Sequence, residues 1–373
     1  MRIFYAAGSR PHGALAGSSV WRRNLYEALV GLGHEVVEFD FDLGPVYQHA
    51  DPAAPGAAEF ISAHRPELEQ ELLRQVARAH TEKPVDILFS YFYSSFARPE
   101  VISSIGDMGI VTVNWYCNAS YQFHLVSEIA PAYSFCLVPE RFRLDDYRAA
   151  GALPIYCQEA ANPAFYRPKN VPQEYDISFV GAAYGDRPAY VRALLDAGLD
   201  VHVWGPGWGE LARPLSRTAP MRRAVSQTKR WLRARPMLPP RLPAAVCGDV
   251  LSDEDMVSMF SCSRISLGFS SVGDTGSTKR PVRQVRLRDF EAPMAGAFYM
   301  LEHLDEIEQF FMLGSEIVCF DGRTDLVKKC RYFLDNETER RRIAQAGRRR
   351  ALEDHTWQKR LSDAFLEMGL DQA

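Results

Sequence analysis

RQVRLRDFEAPMAGAFYML, residues Arg283–Leu301, is the segment from which the organisation of this chain is best worked out. Its pattern predicts a loop, a short helix, a turn of small residues and a buried strand, in that order. Leu287, Phe290 and Met294 are spaced to form one inward face of the helix. Pro293 cannot donate a helical N–H hydrogen bond, so the helix is predicted to be short or bent there.

Arginines surround the start of this predicted helix. Arg283, Arg286 and Arg288 lie close to the unsatisfied N–H groups and the positive dipole end, which attract an anion, and guanidinium groups bind a diphosphate bidentately. Glu291 lies within one turn of Arg288, so its carboxylate could accept hydrogen bonds from sugar hydroxyls just beyond the diphosphate. The same residues also fit an ordinary helix with solvated arginines paired to Asp289 and Glu291.

Length and composition indicate a soluble two-domain enzyme. The chain has 373 residues, a net charge of −4, 24% charged and 47% hydrophobic residues, which excludes a disordered tail and a general nucleic-acid binder. The seven cysteines are scattered and never form CxxC, so neither a disulfide framework nor a zinc site is indicated and a reducing cytoplasm fits. We find no signal-peptide pattern and no apolar run long enough to span a membrane.

Strands and helices alternate through the first half of the chain. The first predicted strand, Arg2 to Ala7, is followed by a glycine-rich loop and by a helix that starts at Ser18 and Ser19 and stops at Gly33. The loop lacks GxGxxG, so it is not a dinucleotide fingerprint. Further strands are predicted at residues 34–40, 86–92, 110–116, 133–138 and 154–158. Strands separated by helices imply a parallel, doubly wound sheet.

Ligands on such a sheet bind beyond the carboxyl ends of the strands, which selects two loops. The first, residues 8–19, is either a ligand loop or a tight turn needed only for packing. The second, residues 114–124, carries Asn118, which could bind a hydroxyl, and His124, a candidate general base or oxyanion partner. A lone histidine is more often structural.

A break in periodicity divides the chain. Asn162-Pro163 and the stretch Arg167–Pro172 are followed by a new buried strand, Tyr175–Val180. We therefore predict a first domain over residues 1–165 and a second over residues 172–355, with a closing helix over residues 356–373. The second domain repeats the strand and helix alternation of the first.

Residues 211–245 form a basic segment with nine lysines and arginines and no acids. From Met221 to Arg233 the pattern is that of a basic amphipathic helix. We expect this segment to dock on an anionic surface, either a membrane leaflet or a phosphate-bearing acceptor. The alternative is a disordered, solvated loop.

The run Phe290–Gly296, FEAPMAG, resembles the FEAxAxG signature of GT-B glycosyltransferases of the retaining family 4, also called glycosyl transferases group 1. Asp325-Leu326, Lys328 and His355-Thr356 follow it in the order typical of the branch described as spore-maturation-protein-like. The resemblance implies an α/β chain of GT-B architecture, with two Rossmann-like doubly wound domains that face a cleft. The closing helix is then expected to cross back to the first domain.

The resemblance also implies roles for individual residues. Glu291 matches the carboxylate that binds the nucleotide ribose, whereas Arg283 stands where relatives have a glutamate that contacts the donor sugar. The loop that contains Gly17, Ser18 and Ser19 is expected to approach the acceptor or the donor phosphates. Arg288 is expected to be catalytic, by stabilising charge on the departing nucleoside diphosphate. The other expected donor-binding residues are Arg286, Lys279, Arg280, Gly181, Gly205 and Trp208. Trp208 either stacks on the base or packs in the core.

The function implied is transfer of a sugar, of the hexosyltransferase type, from a nucleotide-diphosphate sugar to a hydroxyl acceptor. A UDP-sugar donor, retention of configuration, and no metal or other cofactor are expected. We expect a role in polysaccharide or glycoconjugate biosynthesis, a cytoplasmic location and contact with the inner face of the membrane, and no nucleic-acid partner. Two alternatives are a nucleotide-sugar epimerase of the same fold and, because of Arg283, a non-catalytic sugar-nucleotide-binding protein.

Overall fold

The computed structural model of the protein describes residues 1–8, 19–212, 240–272 and 282–370. The predicted site residues Gly17, Ser18, Lys279 and Arg280 lie outside these ranges, as does the predicted helix from Met221 to Arg233. The chain divides into two compact units, one of Met1–Phe165 with His355–Ala373 and one of Tyr166–Asp354.

The first unit contains a parallel sheet of six strands in the order β2-β1-β3-β4-β5-β6. The strands are β1 Arg2–Ala6, β2 Glu35–Glu38, β3 Ile87–Ser90, β4 Val111–Trp115, β5 Phe135–Val138 and β6 Pro154–Tyr156. The α-helices before the second unit are α1 Glu27–Gly31, α2 Gly44–Gln48, α3 Ala57–Glu82, α4 Pro99–Gly106, α5 Ala119–Gln122 and α6 Leu144–Ala149. Gly33, the predicted stop of the first helical segment, has a φ of 83°, which glycine adopts without steric cost.

The second unit contains a parallel sheet in the order β12-β11-β10-β7-β8-β9. The strands are β7 Tyr175–Val180, β8 Val201–Trp204, β9 Cys247–Gly248, β10 Ser263–Gly268, β11 Tyr299–Glu302 and β12 Val318–Phe320. The remaining α-helices are α7 Arg187–Asp196, α8 Trp208–Ala212, α9 Asp253–Cys262, α10 Leu287–Met294, α11 Gly322–Asp335, α12 Glu337–Asp354 and, in the first unit, α13 Trp357–Glu367. The predicted α/β class with two doubly wound parallel sheets is confirmed.

Apolar strand residues form the core of the second unit. Ile177, Val203, Leu267 and Met300, from four neighbouring strands, are all fully or almost fully buried in one cluster. Burial of each such side chain contributes about 1.5 to 3 kcal/mol relative to exposure. The core therefore fixes the strands whose carboxyl ends carry the polar groups described below.

Both sheets have a topological switch point, where the chain order of the strands reverses. In the first sheet β1 lies between β2 and β3, and in the second sheet β7 lies between β8 and β10. Connections leave these central strands in opposite directions, which opens a crevice beyond their carboxyl ends. None of the helices in the described part of the chain has the length and apolar character needed to cross a membrane.

Candidate functional site

Arg187 is a buried arginine at the switch point of the second sheet. It is the first residue of α7, which follows β7, and only 6% of the residue is exposed. Its Nη1 donates to the carbonyl of Ala182 at 3.0 Å, its Nη2 donates to the hydroxyl of Tyr184 at 2.7 Å, and its guanidinium lies 3.8 Å from the centre of the Tyr184 ring. Burial lowers the pKa of Arg187 to about 10, and the charge of Arg286 also lowers it.

Arg286 brings a second guanidinium to the same place. Its Nη2 donates to the carbonyl of Ser271, just after β10, at 2.9 Å, and its guanidinium lies 5.9 Å from the Tyr184 ring. In the described ranges, the Nε atoms of Arg187 and Arg286 are buried without a hydrogen-bond partner, and neither side chain makes an ion pair with a carboxylate. Arg187 is buried and Arg286 is partly exposed, and two neighbouring guanidinium groups without a carboxylate at ion-pair distance favour a bound anion.

Asp289 fixes the start of α10 beside these arginines. Its Oδ2 accepts the backbone N–H of Arg286 at 2.9 Å, and its Oδ1 accepts the hydroxyl of Tyr299 at 2.6 Å. Burial raises the pKa of Asp289 to about 6, against the lowering effect of these two hydrogen bonds. The carboxylate therefore holds the helix terminus in place, and it makes no ion pair with an arginine side chain among the described residues.

Arg288 and Glu291 form an ion pair one turn apart on α10. Arg288 Nη1 lies 3.0 Å from Glu291 Oε2, and the residue Glu291 is only 2% exposed. The Arg288 guanidinium also contacts the sulfur of Met256 and lies 5.5 Å from the Phe260 ring, both on α9. This is one of the two arginine–carboxylate pairs that an ordinary helix was predicted to make, and it gives Glu291 a fixed, charge-neutralised position.

Glu302, which the sequence did not single out, is a buried carboxylate at the end of β11. Its Oε2 accepts hydrogen bonds from the N–H and hydroxyl of Ser270, at 3.2 and 3.1 Å, and weaker ones from the N–H and hydroxyl of Ser271, at 3.4 and 3.3 Å. Its Oε1 lies 3.3 Å from Nη2 of Arg283, whose Nη1 donates to the carbonyl of His303 at 3.0 Å. The charge of Arg283 is therefore balanced inside the protein.

Glycines shape the neighbouring loop after β8. Gly205 and Gly207 have φ angles of 133° and 90°, and a Cβ atom on Gly205 would lie 2.5 Å from the carbonyl oxygen of Gly181. Only glycine fits this close approach of two loops. Beyond it lies an open pocket of about 240 Å³, lined by Gly205, Pro206, Gly207, Gly209, Glu210, Asp249 and Val250.

The structure excludes one of the two roles predicted for Trp208, which is stacking on the base. The side chain is fully buried in the core of the second unit, edge-on to Phe179 with the ring centroids 6.0 Å apart. Its indole N–H donates to the carbonyl of Gly181 at 2.7 Å. The ring is closed off from any ligand in this conformation, so Trp208 holds the Gly181 loop and does not stack on a base.

The candidates in the first unit lie on short helical turns. Residues 114–124, predicted as a loop, contain α5 and a 3₁₀ turn, Phe123–Leu125, on which His124 is exposed. Asn118 begins α5 and donates to the hydroxyl of Tyr91 at 3.5 Å. Ser19 is partly buried, and its carbonyl accepts the N–H of Arg23 at 2.9 Å. These residues belong to the first unit, whereas Arg187 and Arg286, which we call the arginine cluster, belong to the second.

The switch point of a doubly wound parallel sheet is the place where α/β proteins bind ligands, and in the second sheet it carries Arg187 and Arg286. Residues 187–365 match the model of the family described as Glycosyl transferase-like. Comparison with curated protein sequences finds no match.

Solved structures agree on the fold of the whole chain. The sucrose-phosphate synthase of Thermosynechococcus elongatus is similar at 12% identity and a TM-score of 0.59, with 99% of this chain and 98% of that chain covered. Anabaena HepE in complex with UDP-glucose is similar at 10% identity and a TM-score of 0.56, with 98% and 99% covered. A putative UDP-N-acetylglucosamine 2-epimerase from Listeria monocytogenes is similar at 11% identity and a TM-score of 0.53, with 100% and 97% covered. The chain therefore has the fold of the GT-B glycosyltransferases of group 1, as predicted.

Proposed function

We propose that the protein is a glycosyltransferase that moves a hexosyl group from a UDP-sugar to a hydroxyl acceptor, with retention and without a metal ion. The observation that carries the proposal is that the buried Arg187 and the partly exposed Arg286 bring two guanidinium groups to the switch point of the second sheet. A diphosphate would supply the negative charge that this pair lacks in the described part of the protein. The bound UDP-glucose of the structurally similar HepE supports a donor of this kind.

The rest of the donor has candidate positions along the same sheet edge. We assign the nucleobase to the pocket after β8 and β9, because Glu210 and Asp249 line it and would repel a phosphate. Glu291 is assigned to the ribose hydroxyls, with Arg288 fixing the orientation of its carboxylate. Arg283, and Lys279 and Arg280 outside the described residues, are assigned to the diphosphate and sugar end.

The chemistry proposed for this site is mainly electrostatic. The bond from the anomeric carbon to the diphosphate oxygen breaks, a bond to the acceptor oxygen forms, and the acceptor hydroxyl loses its proton. Negative charge grows on the departing UDP, where preorganised arginines stabilise it without rearranging. His124 remains the candidate to receive the proton, because its side chain is exposed and imidazole is the commonest general base in enzymes.

The proposed location follows from the sequence of the basic segment, residues 211–245. We propose that the enzyme acts in the cytoplasm, with this segment against an anionic membrane surface, in the synthesis of a polysaccharide or glycoconjugate. Each basic residue near such a surface contributes about 1 kcal/mol. Changing Arg222, Arg223, Arg230 and Arg233 to Ser should reduce sedimentation with anionic vesicles; binding equal to that of the parent would exclude the proposal.

Calorimetric titration with UDP and with uridine tests the donor site. Glu291→Gln should weaken both ligands about tenfold to a hundredfold, because a charge-assisted hydrogen bond contributes roughly 1.5 to 3 kcal/mol. Arg286→Met should weaken UDP but not uridine. Glu337→Gln, at an exposed position in the same unit, is the control. Parent-like affinity for both ligands in Glu291→Gln and Arg286→Met would show that the donor site lies elsewhere.

Donor turnover separates the proposed activity from its two alternatives. A transferase consumes UDP-glucose in the presence of an acceptor panel and releases UDP with the sugar on a new hydroxyl. An epimerase changes the sugar of the donor without an acceptor. A binding protein neither transfers the sugar nor changes it. The stereochemistry of the transferred sugar, measured by NMR coupling constants, tests retention.

A further inference from the structure

Asp289, Tyr299 and Gly268 make a buried contact at the switch point of the second sheet. Asp289 lies in the first turn of α10, Tyr299 begins β11, and Gly268 ends β10, the strand next to β11. Asp289 and Tyr299 are each only 1% exposed, and the hydroxyl of Tyr299 donates to Oδ1 of Asp289 at 2.6 Å. A Cβ atom on Gly268 would collide with this hydroxyl, so glycine leaves the space that the contact needs. Three elements therefore hold one carboxylate in a fixed position away from water.

The same carboxylate is coupled to the arginine cluster. Its Oδ2 accepts the backbone N–H of Arg286 at 2.9 Å. Burial raises the pKa of Asp289 to about 6 and lowers the pKa of Arg187 to about 10, and the charge of Arg286 lowers both pKa values. The charge of Arg286 thus acts on Asp289 and on Arg187 together. A diphosphate held by the two guanidinium groups would act on Asp289 with the opposite sign.

The other titratable groups around Asp289 keep one charge state between pH 5 and pH 8. Burial raises the pKa of Tyr299, on β11, well above its usual range and the pKa of Cys319, on β12, to about 12, and the charge of Asp289 adds to both shifts. Arg286 and Arg288 interact with the carboxylate from the start of α10, and guanidinium groups stay charged in proteins. Asp289 is therefore the member of this group whose charge changes in that range.

Protonation of Asp289 has two opposed effects on a bound diphosphate. A neutral carboxyl group accepts the N–H of Arg286 less strongly than a carboxylate does, so Arg286 is held less firmly. Protonation also removes one negative charge from the neighbourhood of a ligand that carries two. The second effect is the larger, because the hydrogen bond is weakened but kept, whereas the repulsion of a full charge disappears. Protonation and diphosphate binding are thus expected to favour each other.

We infer that Asp289 takes up a proton when the arginine cluster binds a diphosphate, so that donor affinity rises as the pH falls from 8 to 5. The inference rests on the proposed function and deepens it, since it makes the donor site sensitive to pH. Asp289 is a positioning residue in this account, because it acts through Arg286. A bound diphosphate that raises the pKa of Asp289 by about one unit corresponds to about tenfold tighter binding to the protonated protein.

Calorimetric titration of the whole protein with UDP-glucose at pH 5, 6, 7 and 8 tests the inference. Both phosphates of UDP-glucose are esterified, so its charge is constant over this range, whereas the terminal phosphate of UDP titrates near pH 6. The parent should bind UDP-glucose about fivefold to tenfold more tightly at pH 5 than at pH 8. Near pH 6.5 it should take up about half a proton per bound ligand, measured from the heats in buffers of different ionisation enthalpy.

Two variants assign the proton to Asp289. In Asp289→Asn the amide oxygen can accept the N–H of Arg286 and the amide nitrogen can donate to Tyr299, so affinity should be nearly constant from pH 5 to pH 8. Tyr299→Phe removes a hydrogen bond that lowers the pKa of Asp289, so the midpoint of the pH dependence should move to higher pH. His303→Gln is the matched control, because His303 is a titratable side chain of the same unit whose ring pairs with Glu308. Its pH dependence should equal that of the parent.

Equal affinity of the parent for UDP-glucose at pH 5 and pH 8 would overturn the inference alone. So would a parent-like pH dependence in both Asp289→Asn and Tyr299→Phe, or loss of the pH dependence in His303→Gln. If Asp289→Asn does not fold, the direction of the shift in Tyr299→Phe decides. Failure of the parent to bind UDP-glucose at any pH would instead overturn the proposed function.

Discussion

The two switch points of the molecule have the same topology and opposite chemistry. In each sheet the first strand of the unit lies between the second strand and a later one, so the chain opens a crevice at the same position. In the second sheet the residues beyond the strands include Arg187, Arg286 and the carboxylate of Glu302. In the first sheet they include Tyr91 and Tyr93, which are aromatic and neutral. Topology thus provides the place, and the charge of the side chains selects the ligand.

The largest effect is expected from removing charge at the second switch point. Arg187→Met should reduce UDP affinity about a hundredfold, since a charged hydrogen bond contributes up to about 3 kcal/mol, while uridine affinity should change little. The thermal midpoint without ligand should not fall, because burial of this guanidinium disfavours its charged form. Arg331→Met is the control, since Arg331 lies exposed on α11 and donates to the carbonyl of Ala197. UDP affinity equal to that of the parent would remove the charge contrast between the two sheets.

Glu302→Gln tests whether the negative charge of Glu302 stabilises the fold at the second switch point. In either orientation the NH2 group of the amide would face donors, those of Ser270 and Ser271 or that of Arg283, so the free energy of unfolding should fall by about 2 kcal/mol. Urea denaturation measures the change. Glu308→Gln is the control, because its side chain is 58% exposed and pairs with His303 at the surface. An equal and small effect for both variants would show that the buried carboxylate is not structurally required.

The raised pKa of Asp289 makes the free energy of unfolding of the second unit depend on pH. Its pKa is raised in the folded protein to about 6, so the folded state binds the proton more tightly than the unfolded state. The free energy of unfolding of the parent should therefore rise, from this group, by about 1 kcal/mol as the pH falls from 7 to 5. Asp289→Asn should lose that increment. The midpoints of urea denaturation of parent and variant at pH 7 and pH 5 measure this increment. The same pH dependence in both proteins would contradict the raised pKa of Asp289.

The smallest effect is expected from His124→Gln in the first unit. The imidazole is exposed on a 3₁₀ turn, and surface substitutions usually change free energies by less than about 0.5 kcal/mol, which is roughly a twofold change in affinity. UDP affinity should therefore be unchanged by calorimetry, while the pH profile of transfer should shift if this residue takes the acceptor proton. A tenfold loss of UDP affinity would mean that phosphate recognition extends to the first unit.

The sequence predicts what depends on local pattern. Alternating strand and helix periods were enough to predict both parallel sheets. The segment around Phe290 and Pro293 forms the short helix that its spacing indicated. These features require no knowledge of distant neighbours.

The parts that were missed depend on contacts between distant segments. Arg187 joins Arg286 only because β7 and β10 are neighbours, and this strand order is not written in either local pattern. Glu302 ends an apolar strand, where a single acid gives no periodic signal. Trp208 follows a glycine loop that suggests exposure, but its indole fills the core beneath the Gly181 loop.

Hydrogen exchange followed by mass spectrometry, with and without UDP, tests the contrast between the two switch points most directly. The account predicts slower exchange with UDP in peptides that cover residues 181–190 and 284–294, at the arginine cluster. It predicts no change in peptides that cover residues 91–96 and 116–125, which follow β3 and β4 in the first sheet. Protection of these peptides by UDP, with none at the arginine cluster, would contradict it.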